Sequence, residues 1–390
     1  KFSLESFAAS LNRILGCETD AFFLNTYLPR FKELLLQISF GQAPAIYKNP
    51  AWASNSTDAL TRNFYLDSNQ RSTDLENCVR SLILKLIPKS YLEDYRKINL
   101  LTDKVHWPKT PKFICTASDY DMNDFFKIWS AKKVEGGAPF HVIQHGNNFE
   151  CSRYLISPEI EYSHRYITWG WNHKPNCVPG FVVRRTARPS RKYKKSGTLL
   201  MMAAFLKHNI GADTKAELNS FQTHDQQEFL KKIENKIQDQ LVFRIYGFDL
   251  RFPGTLEMWH HFFAEAKIKV SIESSAENFG KSLSRSRIAV FAYYSTGFLE
   301  CLAADRPAIC FWQNDLNDFS DDVLKDFQHL REVGLIHFTP ESAALHVNKY
   351  WDDVPLWWNN SEVKIVRQEF TNKYARYSNN PIRDFKKLLL

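Results

Sequence analysis

The sequence predicts an α/β protein of two doubly wound domains facing one another across a cleft, preceded by a helical N-terminal region. Three observations lead there. Residues 1 to about 105 carry apolar residues at helical spacing. From Lys112 the pattern changes to short apolar runs alternating with amphipathic stretches, and the same alternation restarts at Thr198. Such βαβ series require parallel sheets whose functional residues collect at the strand carboxyl ends.

At 390 residues the chain is long enough for two cores. Its 44% hydrophobic, 24% charged and 14% aromatic content is that of a folded globular protein and excludes disorder. No window approaches the roughly 18 apolar residues of a membrane span. The seven cysteines are odd in number, share no CxxC spacing and sit mostly in apolar runs. They read as reduced thiols of a cytoplasmic protein without a structural zinc site. No secretory signal is visible, and the chain begins at Lys1, as one trimmed or excised from something longer would.

In the N-terminal region, Phe2, Leu4, Phe7, Leu11 and Leu15 form one helical face, and Phe22, Leu24, Leu28, Phe31, Leu34 and Leu35 a second. Ser56-Thr57-Asp58 is a helix entry, and Leu82, Ile83, Leu86 and Ile87 close that helix before Pro88. No chemistry is legible there. Next come strand Phe113–Ala117, helix Asp121–Lys132, strand Phe140–Gln144 and strand Tyr166–Trp169. Polar residues follow the strands: Asp119 and Asp121 after the first, and His145, Gly146, Asn147, Asn148 and Glu150 after the second. Polar groups around a glycine just past a buried strand suit close approach of a ligand.

Seven of the twelve residues from Arg184 to Lys195 are basic. Between Pro189, Ser190, Ser196 and Gly197 they read as an interdomain linker at 181–197, or as a strip facing an anionic membrane surface. No nucleic-acid-binding module surrounds them, so nucleic acid is not an expected partner. The second series comprises strand Thr198–Phe205, a long polar loop from Lys207 to Asp225, helix Gln226–Ile237 and strand Leu241–Gly247. A helix with Trp259, Phe262 and Phe263, a strand at Val270–Ile272 and a short helix from Phe279 to Ser284 follow. These give domains at 1–180 and 198–355, with an amphipathic segment, 356–390, packing back on the first.

Arg287 to Gln313 is the most informative stretch, a complete strand–turn–helix–strand unit. A crossover helix of this length requires the strands Ile288–Ala292 and Pro307–Trp312 to be parallel neighbours. Ser295-Thr296-Gly297 then lies at a strand's carboxyl end and a helix's positive end, where α/β proteins bind anions. Ser295 and Thr296 there either hold a nucleotide phosphate, with Glu300 one turn on for a ribose hydroxyl, or merely cap the helix.

This stretch resembles the donor-nucleotide element of GT-B glycosyltransferases. FGKSLSRSRIAV, YYSTGFLECLAADRPAICFW, LREVGLIHFTPESAALHVNKYW and WWNNSEVKIVRQEFTNKYARY together look like a family of bacterial surface-polysaccharide transferases. The resemblance is nearest to retaining β-Kdo transferase domains of O-antigen synthases. Ile143-Gln144-His145-Gly146 and Trp169-Gly170-Trp171 are similar to that family's acceptor-side loops. The resemblance implies a nucleotide-sugar donor, CMP-Kdo, and a lipopolysaccharide or capsule glycan acceptor. Together with the reduced cysteines, the basic strip and the trimmed start, it points to a cytoplasmic enzyme, peripheral on the inner membrane face and part of a larger synthase.

No DxD stands at a strand end of the second domain, so the expected chemistry needs no metal or other cofactor. Arg244, Lys281, Ser295 and Thr296 then stabilise the leaving phosphate. His145 suits an acceptor base, because the unperturbed pKa of a histidine lies near neutrality. Retention would require a carboxylate nucleophile or a same-face route, with Asp225 as nucleophile and Glu150 as acid/base. UDP- or GDP-sugar transfer, or a non-catalytic domain of a larger synthase, are the alternatives.

Overall fold

The structure, a computed structural model, describes residues 15–63, 73–147, 157–183, 194–203, 216–247, 249–273, 278–312 and 319–390, with backbone only at 216–222. The expected face of Phe2–Leu11, Glu150 and most of the basic stretch lie outside them. The chain divides into two compact units: Lys1–His145, Glu159–Ile167 and Phe385–Leu390, and Gly146–Pro158 with Thr168–Asp384.

In order, the first unit contains β1 (Phe22–Leu24), α1 (Arg30–Ser39), α2 (Asp74–Leu86), α3 (Tyr95–Lys104) and β2 (Ile114–Thr116). Then come α4 (Asp119–Met122), α5 (Asp124–Glu135), β3 (Phe140–Ile143), α6 (Pro158–Tyr162) and β4 (Arg165–Thr168). With β5 (Cys177–Pro179) the strands form one sheet in sequential order, β1 to β5. The pairs β1/β2, β2/β3 and β3/β4 are all parallel.

Two N-terminal expectations are corrected. Phe22 to Leu24 are not helical: they are the edge strand β1, and the helix starts only after Pro29. Each β1 residue is buried, and Phe22 packs between Trp107 and Trp129 at ring distances of 4.7 and 4.5 Å. Burying such a ring is worth roughly 2–3 kcal/mol, and that outweighs a helical spacing pattern. The helix ending before Pro88 opens at Thr73, in a reciprocal capping box with Glu76, not at Ser56–Asp58. None of its residues is buried, so Leu75, Val79, Leu82, Ile83 and Leu86 face outward. The single helix expected over Asp121–Lys132 is two, because Asn123 is extended and its side chain caps Phe126 N.

The second unit continues with β6 (Thr198–Met202), α7 (Ala216–Lys232), α8 (Asn235–Gln238), β7 (Leu241–Arg244) and α9 (Thr255–Glu265). It proceeds through β8 (Ser271–Glu273), α10 (Phe279–Arg285), β9 (Ser286–Phe291), α11 (Thr296–Ala303) and β10 (Ala308–Phe311). It closes with α12 (Asp321–Glu332), β11 (Ile336–His337), α13 (Pro340–Tyr350), α14 (Val354–Trp358), α15 (Ser361–Tyr374) and α16 (Pro381–Leu389). The sheet order is β11-β10-β9-β6-β7-β8, with every pair parallel. The winding direction reverses between β6 and β9. In an open parallel sheet that switch point is where the carboxyl ends of neighbouring strands leave a crevice for ligands.

The chain divides inside β4, upstream of the basic stretch that the sequence marks as linker. Trp169 and Gly170 belong with the second unit because they lie against the end of α15. Arg376 N–H donates to Trp169 O at 2.8 Å, and a Cβ on Gly170 (φ +140°) would fall 2.7 Å from Lys373 O. The end of α15 thus meets the stretch around Trp169, while the body of the helix packs elsewhere. That helix packs on α11 and α12, with Phe370 5.3 Å from the Phe327 ring and Arg367 bonded to Asp305. Only Phe385–Leu390 group with the first unit, where Arg165 donates to Leu388 O and Lys386 to Ser39 O.

Candidate functional site

The turn after β9 is built as its sequence demands. All six β9 residues are buried, with β6 on one side and β10 on the other. The chain leaves through Ala292 to Tyr294 and enters α11 at Ser295, whose hydroxyl accepts from Phe298 N at 3.3 Å. Ser295 is thus the helix cap, one of the two roles its position allowed. Gly297 is needed for space: a Cβ there would lie 2.7 Å from Phe291 Cε1.

Thr296 does something the sequence did not indicate. Its hydroxyl accepts from Asn147 N at 3.2 Å and donates to Asn147 Oδ1 at 3.1 Å, while Asn147 Nδ2 donates to Tyr294 O at 2.8 Å. Gly146 leaves room for this contact, since a Cβ there would be 3.2 Å from Thr296 Oγ1. The Gly146-Asn147 pair after β3 is therefore seated on the first residue of α11, and both belong to the second unit. Nothing local to either stretch announces a bond across 149 residues. The polar Gly-Asn pair past a buried strand was the one available signal.

The other donor-side residues are placed as follows. Arg244 ends β7, is 5% exposed, and is held by Glu273 at 3.3 Å and Ser282 Oγ at 3.2 Å. Glu273 is shared with Arg285 at 2.6 Å, a network that the strand-end position alone does not reveal. Lys281 lies exposed on the first turn of α10, whose Asn278 cap accepts its backbone N–H. Glu300 is buried at 8% exposure in the second turn of α11. Asp225 is not at the end of a loop: α7 already begins at Ala216, so Asp225 lies within a helix, 4% exposed, with His224 Nδ1 3.9 Å away. The polar run Ala216–Asp225 reads as loop by composition, but it continues straight into the apolar face of Phe229, Leu230 and Ile233. That face docks the helix and carries the polar turns with it.

In the first unit a second cluster lies past the carboxyl ends of β1, β2 and β3. The Tyr120 hydroxyl is 3.4 Å from His145 Nδ1, and the Tyr27 ring is 6.3 Å from the imidazole. Glu159, whose residue is 5% exposed, lies near Tyr120. Burial raises the pKa of Glu159 and, with Glu159 beside it, that of Tyr120. Asp119, the first acid of the Asp-Tyr-Asp string, is fully engaged in structure. Its carboxylate accepts from the side-chain amides of Asn25, Asn49 and Asn123. Glu33, on α1 after β1, was missed by the sequence reading. Burial pushes its carboxyl up to about 7 against an opposing hydrogen bond from Thr26. A glutamate in the first turn of a helix looks like an ordinary dipole partner.

Among the described residues, no group of three or more His, Cys, Asp or Glu is arranged to hold a metal ion, and no helix is long and apolar enough to cross a membrane.

Solved structures with which the chain shares similarity include MurG of Acinetobacter baumannii, at 12% identity and a TM-score of 0.40. That match covers 75% of this chain and 76% of MurG. A protein described as a UDP-N-acetylglucosamine 2-epimerase from Listeria monocytogenes matches at 10% identity and 0.42, over 82% of this chain and 80% of that one. WaaG, a glycosyltransferase involved in lipopolysaccharide biosynthesis, matches at 10% and 0.38, over 90% and 98%. A comparison with curated proteins gives no match. One family model, that of the LIC12162 family transferases, matches residues 2–389. Spanning all but the outermost residues, that match makes this chain a member of the LIC12162 family of transferases.

Proposed function

We propose that this transferase is a glycosyltransferase of bacterial surface-glycan assembly. In this reading it moves a sugar from a nucleotide-activated donor, CMP-β-Kdo, to a lipopolysaccharide O-antigen or capsule glycan, with retention. The observation that carries the reading is the position of Ser295-Thr296-Gly297. They open a helix at the reversal point of a parallel sheet, the place where backbone N–H groups and the helix dipole favour a phosphate. Thr296, held by Asn147, fixes the first turn of α11 beside the phosphate position, and Glu300 lies one turn further in for a ribose hydroxyl. Arg244 and Lys281 are the cations proposed to balance the leaving phosphate.

His145 is the proposed base. In the step it serves, the acceptor oxygen bonds to the anomeric carbon of the sugar while the hydroxyl proton passes to the imidazole. The carbon–oxygen bond to the nucleotide or to an enzyme carboxylate breaks, its electron pair leaving with that oxygen. Asp225 and Glu150 are the carboxylates proposed for the covalent route. Contact with an anionic membrane is supported by the outward apolar residues of α2 and its exposed Lys85.

Thermal-shift titration with CMP, UDP and GDP tests the donor. The expected result is stabilisation by CMP of about 2.7 kcal/mol at a hundredfold excess over Kd, greatly reduced in Thr296→Val. A response to UDP or GDP alone would replace the donor. No response to any nucleotide would favour a non-catalytic domain of a larger synthase. Intact mass after incubation with donor reports the covalent sugar that the retaining route requires.

A further inference from the structure

We propose that the cavity beside the edge strand β11 is a second sugar-binding subsite, one that takes an uncharged ring of a glycan. It is separate from the donor turn, since β11 lies two places from β9 in the sheet. The cavity has a volume of about 650 Å³, within the range of small-molecule sites. The end of α12, β11, α13, α14 and the first turn of α15 surround it, all in the second unit. Its wall is aromatic and held in place. Trp357 is buried, and its Nε1–H donates to Val333 O at 2.9 Å. The His346 ring stands 4.5 Å from the indole at 80° and 4.9 Å from the half-buried Tyr350 ring. Gly334, at φ +73°, lets the chain close on that imidazole, because a Cβ there would lie 2.5 Å from His346 Cε1. Such rings offer flat apolar area to the C–H face of a sugar.

The polar groups of the lining each have one end already fixed. His337 Nε2 is 3.2 Å from Gly334 O, and a carbonyl only accepts, so the ring proton is on Nε2. Burial holds His337 down to about 4, which keeps the ring neutral near pH 7, and Nδ1 therefore accepts from the Ser342 hydroxyl at 2.8 Å. Ser342 Oγ is left with its lone pairs, as an acceptor. Thr339 Oγ1 accepts from Ser342 N, and Asn360 Oδ1 from Glu362 N. The Thr339 hydroxyl hydrogen and the Asn360 amide hydrogens remain as donors. The charges on the lining cancel, Arg331 and Lys349 against Glu332 and Glu362. Both cations also lie over rings, Arg331 4.7 Å from Phe338 and Lys349 5.0 Å from Tyr350. A phosphate or a uronate would meet the two carboxylates as well as the two cations. An apolar wall, hydroxyl-matching donors and acceptors and no net charge suit a neutral sugar ring.

The test is saturation-transfer NMR on the whole protein with the methyl glycosides of glucose, galactose, mannose and N-acetylglucosamine. Glucuronic acid and glucose 6-phosphate serve as charged comparisons. At least one neutral glycoside is expected to bind, more tightly than either charged sugar, and to lose affinity by about tenfold in Tyr350→Ala. Leu356 lines the cavity at 67% exposure, so it can be changed without touching the core. Leu356→Glu should weaken the same glycoside by about threefold or more, a readout that stands even where Tyr350→Ala does not fold. Thr296→Val, at the donor turn, should leave glycoside binding unchanged. Binding of no neutral glycoside, tighter binding of a charged sugar, or undiminished affinity in the folded cavity variants overturns the proposal. An equal loss in Thr296→Val would put the sugar at the donor turn and overturn it too. Failure of every nucleotide to stabilise the protein would defeat the transfer reading alone, since the glycoside titration needs no donor.

Discussion

Glu33→Gln isolates one half-buried charge. The carboxyl is moved by burial from the 4.5 of a solvated glutamate to about 7. At about 1.4 kcal/mol per pH unit, keeping it ionised in the folded state costs about 3 kcal/mol once the pH is above both values. The sign follows from proton uptake: between pH 4.5 and 7 the folded chain holds a proton that the unfolded chain has released. The stability Glu33 allows is therefore complete below about 4.5 and is lost as the pH rises through 7. Glutamine keeps the size and can still accept the hydrogen bond from the Thr26 hydroxyl. Urea denaturation followed by circular dichroism should give nearly equal stabilities for the two proteins at pH 4.5. At pH 8 the variant should be more stable by up to about 3 kcal/mol. An advantage of the same size at both pH values would refute the reasoning, since an amide that merely packs better has no reason to depend on pH.

Two further outcomes follow from the same structure. Burial holds His141 and His337 down to about 4 and His346 to about 3. Their folded values lie below the solvated 6.5, so stability is full above that value and falls as the pH drops toward 4, by about 2 kcal/mol for each imidazole at pH 5. Melting temperatures recorded from pH 8 to 5 in the Glu33→Gln background, where the opposing carboxylate is gone, should decline steadily; a flat profile would contradict these values. Gly297→Ala places a methyl 2.7 Å from Phe291 Cε1 and should cost about 1–3 kcal/mol as overpacking. The loss should show in urea titration together with weakened nucleotide binding, because the crowded atoms are at the turn itself.

The strand–turn–helix–strand unit was legible because each of its parts is local. Apolar runs of strand length, a Ser cap and an Asp-Arg-Pro stop are all read within a few residues, and the crossover length forces the two strands to be parallel. Asp305, at φ +51°, is indeed where the helix turns out. The reading failed where local pattern and tertiary fit disagree. Phe22–Leu24 match a helical stripe but are completed as a strand by β2, and Ala216–Asp225 match a loop but are carried by the docked half of α7.

The candidate site divides in the same way. Which residue types stand at strand ends, and that His145 follows a buried strand and precedes a glycine, are properties of the chain by itself. What each of them holds is not. Arg244 meets Glu273, Thr296 meets Asn147 and Tyr120 meets His145 only after separate stretches have been brought together. A side-chain hydrogen bond is short-ranged and directional, so it is fixed by the packing of whole elements and leaves no period or spacing in the sequence from which to read it. The sequence determined which groups could carry chemistry; folding decided which of them are paired, capped or aimed.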